Sequence, residues 1–258
     1  MNSIFFEPWI GDLYKKGING KKVFILGDSH YCPHDGNNGD ECEFFCLCTS
    51  VDEKNSSNYK TRCNFLDNIK DYYPDEVYSK GLSLTTKTEV KSFLDGNINR
   101  SFNILSKYMT KFFNIEKETF WEHIAFGNFI QFFLPNHKTS KDFYSQRDID
   151  SLKNTLLLLE KPDIIIVLGK HMNYILSELY PSNKKEDFLI NCKSEDGKYD
   201  NYNDKYLLSI NIDNHSYTVL NSYHPAYENN SRGKYKFDDY GKLDFYMNYL
   251  FSKEVSLR

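Results

Sequence analysis

Three groups of polar residues stand at or near the ends of apolar segments in this sequence. They are Asp-Ser-His-Tyr at 28–31, Asn128 between aromatic residues, and Asn-Ser-Tyr-His at 221–224. A carboxylate, an imidazole and an amide can together activate water, stabilise developing charge and recognise a substrate. Asp28, Asn128 and His224 are therefore candidate functional residues.

Each candidate also has a purely structural explanation. Asp28 is suited to capping a helix, Asn128 to satisfying a buried backbone group, and His224 to a hydrogen-bonded place in the core. The functional interpretation depends on convergence, because ligands of open α/β sheets bind beyond the carboxyl ends of the strands. We expect the three residues to meet at one edge of such a sheet.

The apolar segments before these residues predict the strands of a buried sheet. Runs rich in β-branched and aromatic residues occupy 22–26, 124–133 and 163–168, and the alternation over 206–212 and 216–220 predicts a hairpin. Helical patterns occupy 101–113, 147–159, 171–179 and 238–251. This alternation predicts a three-layer α/β/α sandwich with a mainly parallel central sheet.

The 258 residues predict a single domain, because no Gly/Ser-rich or Pro-rich linker divides them. The segment 33–82 is polar, weakly periodic and rich in Asn and Cys, and we interpret it as a long loop or a small insertion. Without an apolar run that could span a bilayer, or a signal pattern, the chain is expected to be cytoplasmic. Its 32 Lys and Arg against 36 Asp and Glu give a net charge of −4. This charge disfavours strong non-specific nucleic-acid binding but leaves a local basic patch open.

Six cysteines stand at positions 32, 42, 46, 48, 63 and 192. In a cytoplasmic protein we expect reduced thiols and no cofactor, since Cys42-x3-Cys46-x-Cys48 fits no common zinc-finger or ferredoxin spacing. The alternative is an iron–sulfur cluster or a zinc ion held by Cys32, Cys42, Cys46, Cys48 and Cys63. A second metal alternative would use Asp28, His30, His34 and Asp35, although no downstream ligand cluster accompanies them.

Five short motifs, taken in order, resemble the landmarks of the uracil-DNA glycosylase superfamily. They are FEPWIG at 6–11, VFILGDSHY at 23–31, FGNFIQ at 126–131, IIVLG at 165–169 and HPA at 224–226. The similarity covers almost the whole chain and is strongest to bacterial members with a Gly-Glu-Ser-His-Tyr type first motif. It implies a glycosylase-like fold and a DNA repair enzyme. Such an enzyme hydrolyses the N-glycosidic bond of uracil or another modified base in double- or single-stranded DNA.

The resemblance also implies roles for individual residues. Asp28 stands where members carry an acid that orients water or stabilises a cationic sugar, and other branches place the acid at the position of Ser29. Tyr31 matches a Tyr that blocks the methyl group of thymine, and Asn128 would recognise the base edge through its amide. His224 would stabilise the departing base. The implied substrate-binding residues of these motifs are Gly27, Ser29, His30, Tyr31 and Asn128.

The chemistry of N-glycosidic cleavage explains why an acid and an imidazole are both needed. Positive charge develops on the sugar and negative charge on the leaving base, so the two groups meet opposite demands. A base must also be flipped out of the stack, and we expect Phe44 or Phe45 to provide an aromatic platform for it. The loop 231–236 would contact phosphates through Arg232, Lys234 and Lys236, or is simply a solvated charged loop.

The sequence departs from the family in three ways. The last motif is His-Pro-Ala where His-Pro-Ser is commoner, Asp28 replaces the Glu of the most similar branch, and the cysteines do not follow the iron–sulfur spacing of thermophilic-type members. The identity of the base therefore stays open.

Two other functions stay open. Gly27-Asp28-Ser29 and Asn221-x-x-His224-Pro225 are similar to blocks of SGNH esterases, in which Ser29 would be the nucleophile and His224 the base. Asn221 nevertheless stands where an orienting Asp is expected, and no clear Gly-x-Asn-Asp block supplies the oxyanion site. The third possibility is a glycosylase-fold protein that binds modified or single-stranded nucleic acid without cleaving it.

Overall fold

The structure is a computed structural model that describes residues 4, 6–31, 86–131, 133–134, 144–180, 207–225 and 242–251. The strands in these ranges are β1 (Trp9–Ile10), β2 (Val23–Gly27), β3 (His30–Tyr31), β4 (Ile124–Asn128), β5 (Phe133–Leu134), β6 (Ile164–Leu168), β7 (Leu207–Ile212) and β8 (His215–Ser222). The helices are α1 (Thr86–Leu94), α2 (Arg100–Phe113), α3 (Lys117–Glu122), α4 (Gln146–Leu158), α5 (Lys170–Leu179) and α6 (Lys242–Phe251). The predicted insertion at 33–82 lies outside the described residues.

Six strands form a mixed sheet in the order β1-β4-β2-β6-β8-β7. β2 pairs in parallel with β6, and β6 pairs in parallel with β8. β7 pairs with β8 in antiparallel orientation, as the predicted hairpin requires. The prediction of an α/β fold is therefore confirmed at the level of a mixed sheet combined with helices.

Continuous burial explains why the central strands are uniformly apolar. All five residues of β2 and all five of β6 are buried. Strands covered on both faces have no solvent side on which polar residues would be tolerated, so they lack the alternation of a half-exposed strand. The two apolar runs therefore predicted these strands within one residue.

The β7–β8 hairpin is closed by Asp213 and Asn214, both in the left-handed region with φ of 47° and 63°. Two consecutive residues with positive φ are the signature of a type I′ turn, which matches the twist of the flanking strands. Asp and Asn tolerate this conformation better than other non-glycine residues. The turn thereby sets the register in which Ile212 lies opposite His215.

The predicted strand over 124–133 is wrong in its length. β4 ends at Asn128 because the chain bends at the next residue, where the N–H groups of Phe129 and Ile130 donate to the carbonyls of Gly27 and Asp28. The chain then forms β5, which pairs in parallel with β3 in a separate two-stranded sheet. The sequence conceals this break, since Phe129 and Ile130, which follow Asn128, are apolar and neither is a typical turn residue.

The chain divides into two compact units. The first unit comprises Met1–Trp9, Gly27–Asn97 and Phe126–Glu160, and the second comprises Ile10–Leu26, Ile98–Ala125 and Lys161–Arg258. In the first unit, the N–H of Lys87 at the start of α1 donates to the carbonyl of Glu7. The single domain stays a prediction.

Aromatic side chains pack the helices of the second unit. The rings of Phe102 on α2 and Trp121 on α3 lie 5.2 Å apart, and the Trp121 indole N–H donates to Ser106 Oγ at 2.8 Å. The hydroxyl of Tyr108 on α2 donates to Asp244 on α6 at 2.5 Å. Helix α2 is therefore tied to both α3 and α6.

The helices predicted for 101–113, 147–159 and 171–179 are confirmed as α2, α4 and α5, each with boundaries within one residue. α6 confirms the end of the helix predicted for 238–251, whose first residues lie outside the described ranges. The short helices α1 and α3 were not predicted. Within the described ranges, no helix combines the length and the apolar character that crossing a membrane requires.

Candidate functional site

Gly27, the last residue of β2, lies directly against the side chain of Asn128 at the end of β4. A Cβ atom at position 27 would overlap Oδ1 of Asn128 and would lie 3.2 Å from Cζ of Phe126. A side chain at position 27 would therefore displace the Asn128 amide. The structure thus brings Gly27 of the VFILGDSHY motif against Asn128 of the FGNFIQ motif within the first unit.

Two backbone hydrogen bonds fix the same contact. The N–H of Phe129 donates to the carbonyl of Gly27 at 3.1 Å, and the N–H of Ile130 donates to the carbonyl of Asp28 at 3.0 Å. The residues after Asn128 are therefore held against the residues around the candidate acid. This arrangement places Asn128 and Asp28 on neighbouring chain segments.

Asp28 and Ser29 are each partly exposed, but one side-chain oxygen of each is buried. These atoms are Oδ1 of Asp28 and Oγ of Ser29. The Ser29 hydroxyl forms no hydrogen bond with any residue that the structure describes. Because most buried polar groups in folded proteins are hydrogen-bonded, Ser29 Oγ is an unusual feature for a purely structural strand end.

His30 and Tyr31, also predicted to bind substrate, form β3. Their backbone pairs with Phe133 and Leu134 of β5. The side chains of His30 and Tyr31 lie outside what the structure describes. The predicted roles of the two side chains therefore stay predictions.

His224 follows β8 in the second unit, and its surroundings are well anchored. Ser222 Oγ donates to the carbonyl of Val167 at 3.0 Å, and the N–H of Gly169 donates to the carbonyl of Ser222 at 3.0 Å. Gly169 has φ of +116°, and a Cβ atom built there would lie 3.7 Å from Cβ of His224. The end of β8 is therefore fastened to the end of β6 just before the candidate imidazole.

Burial lowers the pKa of His224 below its ordinary value of 6.5. His224 is therefore neutral at pH 7. A neutral imidazole can donate one hydrogen bond from one ring nitrogen and accept one at the other.

The two polar residues at the end of β8, just before Tyr223 and His224, are buried. Asn221 and Ser222 are buried within β8, where they pair with Val167 and Leu168 of β6. The Ser222 hydroxyl is used in the bond to the strand carbonyl described above. Within the polar run 221–224, only Tyr223 and His224 have partly exposed side chains.

The strand order places several of the predicted motifs after parallel strand ends. Leu26 of β2 pairs with Val167 of β6, which pairs with Asn221 of β8. The carboxyl ends of these three strands therefore lie at one edge of the sheet. In sequence, Gly27 ends β2, Gly169 follows β6, and His224 follows β8 by two residues.

Several predicted residues lie outside the described residues. They are Phe44, Phe45, Arg232, Lys234, Lys236, His34, Asp35 and all six cysteines. Among the side chains that the structure does describe, no group of three or more His, Cys, Asp or Glu residues is arranged to hold a metal ion. The iron–sulfur and zinc alternatives at the cysteines therefore stay untested predictions.

The sequence interpretation missed three residues near the candidate site or on the first unit's helices. Gln131 stands in the FGNFIQ motif, but its buried side chain was not singled out. Asp148 is buried at the start of α4, where Ser145-x-x-Asp148 is a recognisable capping pattern. Glu89 is on the unpredicted helix α1, and burial raises its pKa to about 7.

Comparison with known proteins adds no relative. The chain matches no protein-family model, and no curated protein matches it. The resemblance to the uracil-DNA glycosylase superfamily therefore rests on the sequence motifs alone.

Proposed function

We propose that this protein is a DNA glycosylase-like enzyme that hydrolyses the N-glycosidic bond of uracil or another modified base. The observation that carries the proposal is the seating of the Asn128 amide against Gly27, the residue before Asp28. In this proposal the α/β fold is the three-layer uracil-DNA glycosylase-like sandwich, and the substrate is DNA.

Asp28 is the proposed acid of the reaction. As the glycosidic bond lengthens, the sugar gains positive charge. A nearby carboxylate can stabilise this charge directly, or it can orient the water molecule that attacks the sugar. One oxygen of Asp28 is buried while the residue as a whole is partly exposed. The partial exposure of the residue supports a carboxylate that a substrate can reach.

His224 is the proposed partner of the leaving base. The departing base carries negative charge, and a neutral N–H group that donates a hydrogen bond to the oxygen of the base stabilises that charge. The lowered pKa of His224 supports this role, because the ring is neutral and keeps one N–H at neutral pH. Asn128 would select the base, since its amide offers both a donor and an acceptor.

The esterase alternative has less support. A nucleophilic serine is activated by a base within hydrogen-bond reach. That base is oriented in turn by a third group, and in this chain the orienting position is filled by Asn221, which is buried in β8, and not by an aspartate. This difference favours a glycosylase over a serine hydrolase.

A panel of single- and double-stranded oligonucleotides that carry uracil and other modified bases tests the proposal. We expect abasic sites from at least one substrate, with loss of product in Asp28→Asn and His224→Ala. Asp95→Asn, at an exposed turn, and His215→Ala, on the β8 hairpin, are the matched controls and should keep activity.

Three results, one from serine labelling and two from this panel, would redirect or overturn the proposal. Labelling of Ser29 by a fluorophosphonate, together with loss of hydrolysis in Ser29→Ala, would establish the esterase. Tight binding of an oligonucleotide without any abasic product would establish the non-catalytic alternative. Full base release by Asp28→Asn would remove the acid from the mechanism.

A further inference from the structure

Gln131 is a buried residue that connects three separate chain segments of the first unit. Its Oε1 accepts from the N–H of Phe6 at 2.9 Å, and its Nε2 donates to the carbonyl of Asn128 at 2.8 Å. Its own backbone N–H donates to Oδ1 of Asp148 at 2.7 Å. With 2% of its surface exposed, Gln131 has no contact with bulk solvent that would explain a polar side chain.

Asp148 supports Gln131 from the start of α4. Its Oδ2 accepts from the backbone N–H and from the hydroxyl of Ser145, both at 2.8 Å, while Oδ1 accepts from Gln131. The carboxylate is fully buried. One side of Asp148 therefore belongs to the helix cap and the other to the turn that follows β4.

The turn over 128–131 is thus held from several directions. Its amides at 129 and 130 donate to the carbonyls of Gly27 and Asp28, and its carbonyl at Asn128 accepts from the Gln131 side chain. The Asn128 amide in turn rests against Gly27. Little freedom is left to the backbone from which the Asn128 side chain projects.

We propose that Gln131, supported by Asp148, is a positioning residue that fixes Asn128 in the orientation by which it selects the base. This inference rests on the proposed function. Gln131 would not touch the substrate; it would act through the Asn128 carbonyl. A hydrogen-bonding side chain that is displaced by a fraction of an ångström loses discrimination between bases more readily than overall binding.

The positioning role of Gln131 can be tested by an experiment that does not depend on catalytic activity. Gln131→Met keeps the length of the side chain but removes both of its hydrogen bonds. Ser145→Ala instead removes the hydroxyl that donates to Oδ2 of Asp148, on the side of that carboxylate away from Gln131. We expect hydrogen exchange of the Phe129 and Ile130 amides to accelerate about tenfold in Gln131→Met and less than about twofold in Ser145→Ala. Equal effects of the two changes would overturn the positioning role.

The effect on recognition is tested by the ratio of kcat/KM for the preferred base to that for the next best base. We expect Gln131→Met to lower this ratio about tenfold and to cause no further drop in an Asn128→Ala background, because both changes remove one function. A purely structural role would lower the melting temperature and leave the ratio unchanged. An unchanged ratio in a folded Gln131→Met variant therefore overturns the inference.

The two proposals fail in different ways. If wild-type protein releases no base from any oligonucleotide, the proposed function fails, while the exchange experiment still decides whether Gln131 holds the turn. If wild-type protein releases base and Gln131→Met retains full selectivity, only the positioning role fails.

Discussion

At the scale of single residues, the contact between Gly27 and Asn128 is the most constrained part of the candidate site. Gly27 lacks a side chain, and its neighbour's amide oxygen lies where a Cβ atom would be. The lack of a side chain at position 27 thereby leaves the Asn128 amide its present place. This dependence can be measured directly.

Gly27→Ala should therefore displace Asn128. We expect destabilisation by about 1–3 kcal/mol, as for other overpacked sites, and a base-release rate lowered by at least about tenfold. Thermal denaturation and an abasic-site assay provide the two measurements. In Gly27→Ala/Asn128→Ala the stability should recover relative to Gly27→Ala while activity stays low. A stable, fully active Gly27→Ala variant would show that the contact is not needed.

His224 should give stability a defined pH dependence. Because burial lowers its pKa in the folded state, the unfolded chain takes up a proton first as pH falls below 6.5, which favours unfolding. The wild type should therefore lose stability relative to His224→Gln as pH decreases from 7.5 to 5.5. Melting temperatures of both proteins at the two pH values measure this; a difference that is constant with pH contradicts the shift.

At the scale of elements, continuous apolar runs and helical periodicity were sufficient to locate most of the structure. The sequence patterns predicted five elements within one residue, because tertiary packing favours the same structures as the local patterns. These elements are β2, β6, α2, α4 and α5. α3 was missed because six residues are too few for a clear period, and the break after Asn128 was missed because backbone hydrogen bonds, not turn residues, cause it. Local sequence patterns do not show such long-range bonds.

Helix α1 carries a second pH-dependent group. Burial raises the pKa of Glu89 from 4.5 to about 7, so between these values the folded protein keeps a proton that the unfolded chain releases. Stability contributed by this proton is complete at low pH and is lost as pH rises towards 7. Glu89→Gln should therefore gain stability relative to wild type between pH 4.5 and pH 7. Chemical denaturation of both proteins across this range is the test, and a gain that appears only on acidification would contradict it.

At the scale of the whole molecule, the site was only partly predictable. The ends of apolar runs pointed to Asp28, Asn128 and His224, because polar residues next to buried strands are conspicuous in sequence. Gln131 and Asp148 were not found, since their importance lies in hydrogen bonds between segments 17 residues apart. The need for Gly27 also came only from the packing of a neighbouring strand.

DNA binding by a chain with net charge −4 should depend on a local group of basic residues. If Arg232, Lys234 and Lys236 contact phosphates, changing all three to Ala should reduce the slope of log K against log salt concentration by about 2 to 3 for duplex DNA. Titration of a labelled oligonucleotide at several salt concentrations gives the slope. Replacement of the exposed Lys16, Lys107 and Lys111 is the matched control. Equal slopes for both triple variants would exclude this loop as the phosphate contact.

The type I′ turn at Asp213 and Asn214 joins the edge strand β7 to β8, whose other side pairs with β6. His224 lies ten residues beyond Asn214 and two residues after β8. One residue inserted in the turn would shift the pairing of β7 with β8 by one step of about 3.3 Å and would invert which side chains of β7 face inward. β8 would keep its place beside β6, so the edge strand would take up the whole displacement and the imidazole would be insulated from changes in the length of this turn.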